Sequence, residues 1–224
     1  MNVVFCTPTP KRAYDAFIES MENAVPALDA AGIEHSMVFE IGSVYISWAR
    51  ANMLGKALAT DADTFCFLDH DLSFPPESLL KLLNHPGDVV AGDYRFKMDQ
   101  VEYMARLFTD DSKRPVVRED GTIKAHAVPA GFLKVTRKAV ECFIEAYPEL
   151  QFGPKNEFID LFNHGAYEKL WWGEDFAFSR RWRACGGEIY LIPDLDICHH
   201  LPDGRSFPGN LHKWLLRQPG GSEA

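Results

Sequence analysis

The feature that most constrains the fold is an alternation of short apolar runs with amphipathic stretches along residues 1–95. Short runs rich in β-branched and aromatic residues predict buried strands, and apolar residues at helical spacing predict helices. The predicted strands lie at 3–6, 35–41, 64–69 and 87–92, and the predicted helices at 11–31, at 47–58 and from Pro75-Pro76 onwards. This alternation predicts the α/β class, with a Rossmann-like, mostly parallel central sheet that helices cover on both faces.

The chain is less regular after Arg95. A polar stretch at 96–130 is followed by a predicted strand at 131–135 and a predicted helix at 138–147. A long aromatic stretch at 148–170 then precedes a helix that starts near Gly173 and a last strand at 187–192. Irregular stretches of this length in a compact domain are often binding loops. At 224 residues the chain is expected to form one domain.

The composition limits the kinds of partner that the chain is expected to bind and indicates its cellular compartment. A net charge of -9 argues against a broad electrostatic grip on nucleic acid or anionic membrane. No apolar stretch approaches the ~20 residues of a membrane span. The amino-terminal residues lack a basic leader, and the five cysteines are scattered without a C-x-x-C pair. These features predict a reduced, cytoplasmic setting.

Asp69-His70-Asp71 follows the apolar run of the third predicted strand. Residues i and i+2 of an extended chain point to the same side, at the sheet edge where open α/β folds place ligands. Two carboxylates there can hold a hard divalent cation, which in turn can hold a diphosphate. The alternative is an ordinary acidic loop between a strand and a helix.

A second cluster opens the helix near Gly173. Trp171 and Trp172 precede Glu174 and Asp175. Acidic residues in the first turn of a helix favour its dipole, so simple capping is one interpretation. The other is a carboxylate at the edge of a cleft, beside a flat aromatic wall that suits a sugar ring or a base.

Three further side chains could join such a cleft. The adjacent His199 and His200 point apart, so only one of them is expected to bind a metal, and imidazole with carboxylates suits Mn²⁺ as well as Mg²⁺. Arg50 is either a surface residue or a phosphate ligand, because its planar fork matches phosphate oxygens.

In order along the chain, six segments resemble the GT-A class of nucleotide-sugar glycosyltransferases. They are VVFCTPTP, SWARANMLGKAL, ADTFCFLDHDLSFPPESLLKLL, DVVAGDYRFK, VPAGFLKVTRKAV and WWGEDFAFSRRWRACGGEIYLIPDLDICHH, within residues 2–200. The resemblance is strongest to small, single-domain, family-2-like GT-A proteins of phages and bacteria. It implies a nucleotide-binding half at 1–95, an acceptor-binding half at 96–200 and a lid or tail at 201–224.

The resemblance also implies roles on the donor side. Thr7 and Pro8 would line the pocket for base and ribose, and Arg50 and Asn52 would reach the diphosphate or sugar. Arg205 and Lys213, in the lid, could close over the diphosphate.

The metal, Mn²⁺ or Mg²⁺, would be bound by Asp69, Asp71 and His199, with Asp69 also contacting ribose. Relatives often have a glycine within two residues of the metal histidine, whereas this chain continues with His200 and Leu201. The choice between His199 and His200 therefore stays open.

On the acceptor side, Gly131 would let the acceptor approach the backbone, and Trp171 and Trp172 would flank it. Glu174 and Asp175 match the acidic pair of the family. Asp175 is the expected base of an inverting reaction, and Glu174 would bind hydroxyl groups. A retaining enzyme would not need that base.

The expected function is therefore metal-dependent transfer of a sugar from a nucleotide sugar, by family habit a UDP-sugar, to an acceptor hydroxyl. The acceptor could be a glycan or a hydroxymethylated base of phage DNA. A nucleotidyltransferase is a weaker alternative, since Thr7-Pro8-Thr9-Pro10 replaces the usual glycine-rich loop. A non-catalytic nucleotide- or sugar-binding domain is the third interpretation.

Overall fold

A computed structural model of the chain describes residues 1–218, and residues 219–224 of the predicted tail lie outside the described residues. The strands are β1 (Asn2–Thr9), β2 (Glu34–Ile41), β3 (Thr64–Leu68), β4 (Leu72–Ser73), β5 (Val89–Gly92), β6 (Arg106–Leu107), β7 (Ile123–Ala127), β8 (Phe132–Thr136), β9 (Gln151–Phe152), β10 (Phe158–Ile159), β11 (Gly165–Tyr167), β12 (Leu170–Trp172), β13 (Tyr190–Ile192), β14 (Ile197–His200) and β15 (Ser206–Gly209). The helices are α1 (Asp15–Ala30), α2 (Ile46–Leu58), α3 (Pro76–Asn84), α4 (Arg137–Ala146), α5 (Glu174–Ala184) and α6 (Leu211–Leu215), and a 3-10 turn covers Pro148–Leu150.

The central sheet has eight strands in the order β2-β1-β3-β8-β5-β13-β7-β6. Six strands run in the same direction, and β8 and β7 run against them. The predicted α/β class with a mainly parallel sheet is therefore confirmed. The sequence did not show that β8 would lie between β3 and β5, because a short strand far along the chain carries no mark of its neighbours.

The side chains of β3 show how the sheet is covered on both faces. Phe65 and Phe67 belong to one apolar core, which α2, α4 and α5 complete. Cys66 and Leu68 belong to a second core on the opposite face, which α1 and α3 complete. All four side chains have no exposed surface, which explains why the strand is apolar throughout and does not alternate with polar residues.

Two features beyond the sheet position the site. A small antiparallel sheet, β15-β14-β4, joins the segment that follows β3 to the carboxyl-terminal region, and β14 pairs with β4 through His199 and Leu72. Helix α1 begins at Asp15 and not at residue 11 as predicted, because residues 11–14 form a connection whose Tyr14 N–H donates to the His70 carbonyl (3.0 Å). Among the described residues, no helix is both long and apolar enough to cross a membrane.

Candidate active site

A cavity of about 240 Å³ opens at the carboxyl ends of β1 and β3. Such an edge is where open α/β sheets bind ligands. Its wall combines acidic, basic and apolar side chains from four segments of the chain. The lining residues are Pro8, Thr9, Pro10, Glu40, Ser43, Val44, Ile46, Ala49, Arg50, Asp69, His70, Asp71 and Glu174.

The Asp69-His70-Asp71 segment is a turn and not the extended chain that the sequence argument assumed. Strand β3 ends at Leu68, and Leu72 N–H donates to the Asp69 carbonyl (3.2 Å). The Asp69 N–H donates to the Gly131 carbonyl (2.9 Å), which ties the start of the turn to the end of β8. Both carboxylates still reach the cavity, because the turn curls around it.

Arg50, Asp69 and Glu174 form a group that we call the carboxylate clamp. Arg50 donates from Nη2 to Asp69 Oδ1 (3.0 Å) and from Nη1 to Glu174 Oε1 (2.7 Å). The guanidinium lies 5.1 Å from the centre of the Phe162 ring, and Arg50 is only 2% exposed. Burial would lower the pKa of Arg50, but the two carboxylates outweigh it and raise that pKa. Both terminal nitrogens thus hydrogen-bond within the protein, and the contact of Arg50 with a donor diphosphate or sugar stays a prediction.

Gly131 leaves room for the clamp. A Cβ atom at this position would lie 2.2 Å from the Tyr94 hydroxyl and 2.3 Å from Asp69 Oδ2. The Tyr94 hydroxyl accepts a hydrogen bond from Gly131 N–H (3.1 Å) and lies 3.5 Å from Asp69 Oδ2. Burial first, and then the charge of Asp69, raise the pKa of Tyr94 well above its usual value, so its hydroxyl stays protonated. The absence of a side chain at Gly131 therefore makes room for Asp69 and Tyr94, which pack against it.

Asp71 faces His199 at the other end of the site. Asp71 Oδ2 lies 3.7 Å from His199 Nε2, and the two residues are 9% and 7% exposed. His199 Nδ1 donates a hydrogen bond to the Arg95 carbonyl (2.8 Å), which leaves Nε2 facing Asp71. Metal-binding histidines usually have such a hydrogen bond to the other ring nitrogen.

Lys97 also approaches this end, and its Nζ contacts Asp71 Oδ2. Burial would raise the pKa of Asp71, but its partners His199 and Lys97 hold that pKa well below the usual value. His200 points elsewhere, since its Nε2 lies 2.7 Å from Ser73 Oγ. Of the two adjacent histidines, His199 is the one beside Asp71.

Asp175 follows Glu174 in the first turn of α5 and contacts no cation directly. Its Oδ1 accepts from the Phe176 N–H (2.7 Å). Burial and then the neighbouring charge of Glu174 raise the pKa of Asp175 to about 6. Asp175 and Asp71 therefore have pKa values shifted in opposite directions, which is the pattern of sites that assign different roles to two carboxyl groups.

The residues predicted to bind base and ribose are only partly in the cavity. Pro8 lines it, whereas Thr7 is fully buried. Thr9 lines the cavity and is 5% exposed, and its hydroxyl has no hydrogen-bond partner within the described residues. Asn52 donates to Glu40 Oε2 (2.7 Å), so it positions a carboxylate of the lining and does not itself line the cavity.

Trp171 and Trp172 lie on the β11–β12 hairpin, just before Glu174. Trp171 is 72% exposed, whereas Trp172 is half-buried and donates from Nε1 to the Tyr167 carbonyl (3.3 Å). The guanidinium of Arg180 lies over the Tyr167 ring (3.7 Å) and near the Trp172 ring (5.4 Å). The hairpin therefore holds Trp171 towards solvent.

The two basic residues of the predicted lid are not brought to this cavity. Arg205 pairs with Asp203 (2.9 Å), and Lys213 pairs with Asp196 (3.1 Å). Lys213 lines a different and larger cavity of about 710 Å³, behind the β15-β14-β4 sheet. Both side chains therefore form local ion pairs with acidic neighbours.

The residues offer a divalent cation two donors rather than the three predicted. Within residues 1–218, no group of three His, Cys, Asp or Glu side chains is placed to hold a metal. Asp69 is drawn into the clamp by Arg50. Asp71 Oδ2 and His199 Nε2 are close enough to share one ion, because two donors at about 2.0–2.2 Å from a metal can be up to roughly 4.3 Å apart. The pair fits a metal that completes its coordination with ligand oxygens or water.

Sequence reasoning missed several residues of the site. Tyr94 and Lys97 follow β5 within the segment GDYRFK, and Glu40 and Thr9 end β2 and β1. A search for polar residues at the ends of predicted strands would have found Glu40 but not Thr9, because the predicted first strand ends three residues before Thr9. No local signal marks Tyr94 or Lys97, because their roles depend on contacts with Asp69 and Asp71.

No family model matches the sequence, and a search of curated proteins finds no significant match. Among solved structures, the fold is similar to the catalytic domain of Drosophila β1,4-galactosyltransferase 7 in complex with xylobiose (14% identity, TM-score 0.48, covering 85% of this chain and 64% of that one). It is also similar to GalNAc-T7 with UDP, GalNAc and Mn²⁺ (13% identity, TM-score 0.49, covering 89% of this chain and 43% of that one). A third similar structure is the inositol-1-phosphate CTP transferase of T. maritima (11% identity, TM-score 0.39, covering 85% of this chain and 84% of that one).

The chain spans less than two thirds of the first two of these matched structures, at 64% and 43%. With identities of 11–14% and TM-scores below 0.5, the likenesses assign neither an activity nor a residue role to this chain.

Proposed function

We propose that this chain is a glycosyltransferase of the GT-A type, which transfers a sugar from a nucleotide sugar, most simply a UDP-sugar, to an acceptor hydroxyl. The observation that carries the proposal is the convergence of six polar side chains on one edge of the sheet. The Asp71–His199 pair lies at one end, and the clamp with Asp175 lies at the other. Two carboxyl groups whose pKa values are shifted in opposite directions also favour a catalytic site over a purely binding one.

The donor would enter with its base and ribose against the apolar wall formed by Pro8, Val44 and Ile46. The unpartnered hydroxyl of Thr9 supports this placement, since a buried polar group without a partner is costly unless a ligand satisfies it. At about 240 Å³ the cavity is smaller than typical small-molecule sites of roughly 300–1,000 Å³, so the donor sugar would extend towards α5.

Asp71 and His199 would hold a Mn²⁺ or Mg²⁺ ion beside the diphosphate, and a bound metal supplies positive charge for the leaving group. Arg50 would act as a positioning residue, because it fixes Asp69 and Glu174 relative to each other. Asp69 Oδ2 is not engaged by Arg50 and can accept from a ribose hydroxyl.

Asp175 would take the proton of the acceptor hydroxyl in an inverting reaction. The acceptor oxygen forms a bond to the anomeric carbon, the bond from that carbon to the phosphate oxygen breaks, and the proton passes to the carboxylate. With a pKa raised to about 6, Asp175 is ionised at neutral pH and is more basic than an ordinary aspartate. Trp171, exposed beside α5, would contact the acceptor, either a glycan or a modified nucleobase.

The test is calorimetric titration of UDP and of GDP, each with Mn²⁺, followed by release of nucleoside diphosphate from candidate sugar donors. Asp71→Ala is expected to abolish metal-dependent binding. Asp194→Asn is the matched control, since Asp194 pairs with Lys81 on the surface (3.1 Å) and should leave binding unchanged. Absence of nucleotide binding in the folded wild-type protein would refute the proposal.

A further inference from the structure

Lys97 brings a positive charge to the carboxylate that is expected to hold the metal. Its Nζ contacts Asp71 Oδ2, the same oxygen that faces His199 Nε2. The side chains of Lys97 and Asp71 are 27% and 12% exposed, so water screens this ion pair only partly. The ammonium therefore occupies space beside a donor atom that a divalent cation would use.

The backbone around Lys97 is attached to the site. Arg95 forms a bridge with Tyr103, and Phe96 N–H donates to the Glu102 carbonyl (3.1 Å), which closes residues 96–102 into a loop. The carbonyl of Arg95 accepts the His199 Nδ1–H, so the same segment that carries Lys97 also orients the imidazole. The approach of Lys97 to Asp71 is therefore built into the loop.

The side chain of Lys97 can nevertheless leave. A lysine has a flexible four-carbon stem, and its ammonium is a compact charge that water or an anion can accept. A metal ion and an ammonium on one carboxylate oxygen would repel each other, because both carry positive charge at short range in a partly buried site.

We propose that Lys97 is the resident cation of the Asp71–His199 pair, and that a divalent metal binds there by displacing its ammonium from Asp71. The proposal rests on the proposed function only for the choice of Asp71 and His199 as metal ligands. Exchange of one cation for another keeps the partly buried carboxylate neutralised at every stage. Once displaced, the ammonium remains tethered near the metal and can pair with a phosphate oxygen.

The experiment is a titration of the full chain with Mn²⁺ alone, in which loss of the free-ion electron paramagnetic resonance signal reports binding. Lys97→Gln is expected to bind Mn²⁺ about tenfold more tightly than wild type, a difference of about 1.4 kcal/mol, because the metal no longer competes with the Lys97–Asp71 ion pair. Lys97→Arg, which keeps a cation, should stay close to wild type, and Asp71→Asn should bind no Mn²⁺ at this site.

Lys56→Gln is the matched control. Lys56 pairs with Glu40 at 3.0 Å, and Glu40 lines the same cavity, so the variant removes the same charge without touching the proposed ligands. Its Mn²⁺ affinity should remain within about twofold of wild type.

Two outcomes would overturn the proposal. In the first, Lys97→Gln binds Mn²⁺ no more tightly than wild type although Asp71→Asn still removes binding, so the metal does not compete with Lys97. In the second, neither wild type nor Lys97→Gln binds Mn²⁺. Because no nucleotide is present, these results are independent of the UDP and GDP titrations, whose failure alone would count against the glycosyltransferase proposal.

Discussion

The two ends of the candidate site stabilise carboxylates in different ways. In the clamp, the nearly fully buried Arg50 binds Asp69 and Glu174 with two fixed hydrogen bonds, while the adjacent Asp175 has no cation and its pKa is raised to about 6. At the other end, Asp71 is paired with a flexible lysine and a histidine, and its pKa is lowered. A rigid cation suits a group that must hold its position, whereas a mobile cation suits one that must exchange partners.

The largest expected effect concerns Asp175. Asp175→Asn should lower the rate of sugar transfer by about 10²–10⁴-fold, because the amide cannot accept the acceptor proton. The wild-type rate should fall as the pH drops through about 6, since protonation of the carboxyl group removes the base. The rates of product release by wild type and Asp175→Asn at pH 7 check the first statement, and a pH–rate profile of the wild type checks the second.

A rate that stays constant from pH 8 to pH 5 would contradict the role of Asp175. An inverting enzyme with this base also differs from a retaining one in the anomeric configuration of its product, which nuclear magnetic resonance reads directly.

The second prediction tests Arg50, the rigid cation of the carboxylate clamp. Arg50→Met should lower the free energy of unfolding by about 3 kcal/mol, because it leaves the partly buried carboxylates of Asp69 and Glu174 facing each other without a cation. Arg50→Lys keeps the charge but cannot make both hydrogen bonds, so its loss should be intermediate. Urea denaturation gives both values, and equal stability of Arg50→Met and wild type would show that the clamp is not needed for folding.

The third prediction tests whether Gly131 is needed to make room for the carboxylate clamp. Gly131→Ala should destabilise the protein by about 1–3 kcal/mol, since its Cβ would overlap the Tyr94 hydroxyl and the Asp69 carboxylate. Gly173→Ala is the control, because the nearest atom to its Cβ is Asp175 Oδ1 at 3.5 Å, an ordinary contact. If both variants lose the same free energy of unfolding, the predicted overlap at Gly131 does not destabilise the protein.

The smallest expected effect is on stability, and it compares Asp175 at one end of the site with Asp71 at the other. For Asp175 the folded-state pKa is raised, so stability falls as the pH rises from about 4 to about 6, and Asp175→Asn should raise the melting temperature at pH 7. For Asp71 the folded-state pKa is lowered, so its contribution is present above the unfolded pKa of about 4, and Asp71→Asn should lower the melting temperature at pH 7.

Each shift should be about 2–4 °C for a change of roughly 1 kcal/mol in a chain of this size. Calorimetry at pH 7 and at pH 4 measures it, and the stabilisation by Asp175→Asn should disappear at the lower pH. Shifts of the same sign at pH 7 would remove the contrast between the two ends.

Much of the amino-terminal half could be predicted because local patterns there agree with the tertiary environment. The predicted strand at 35–41 and helix at 47–58 differ from β2 and α2 by one residue at their starts. The continuous apolar run before Asp69 predicted a strand buried on both faces, which β3 is. The helix predicted from residue 11 starts four residues later, because residues 11–14 form a connection in which Tyr14 N–H donates to the His70 carbonyl while Ala13 packs in the core.

The sequence by itself determined the fold class, the order of the larger elements along residues 1–95 and the presence of acidic and histidine side chains after predicted strands, since hydrophobic periodicity is a local property. Only the tertiary structure decided which charges meet. Arg50 reaches Asp69 and Glu174 across separations of 19 and 124 residues, and Lys97 reaches Asp71 across 26. No local pattern encodes such pairs, because the electrostatic energy of a charge depends on what the folded chain places beside it and on how much water it excludes.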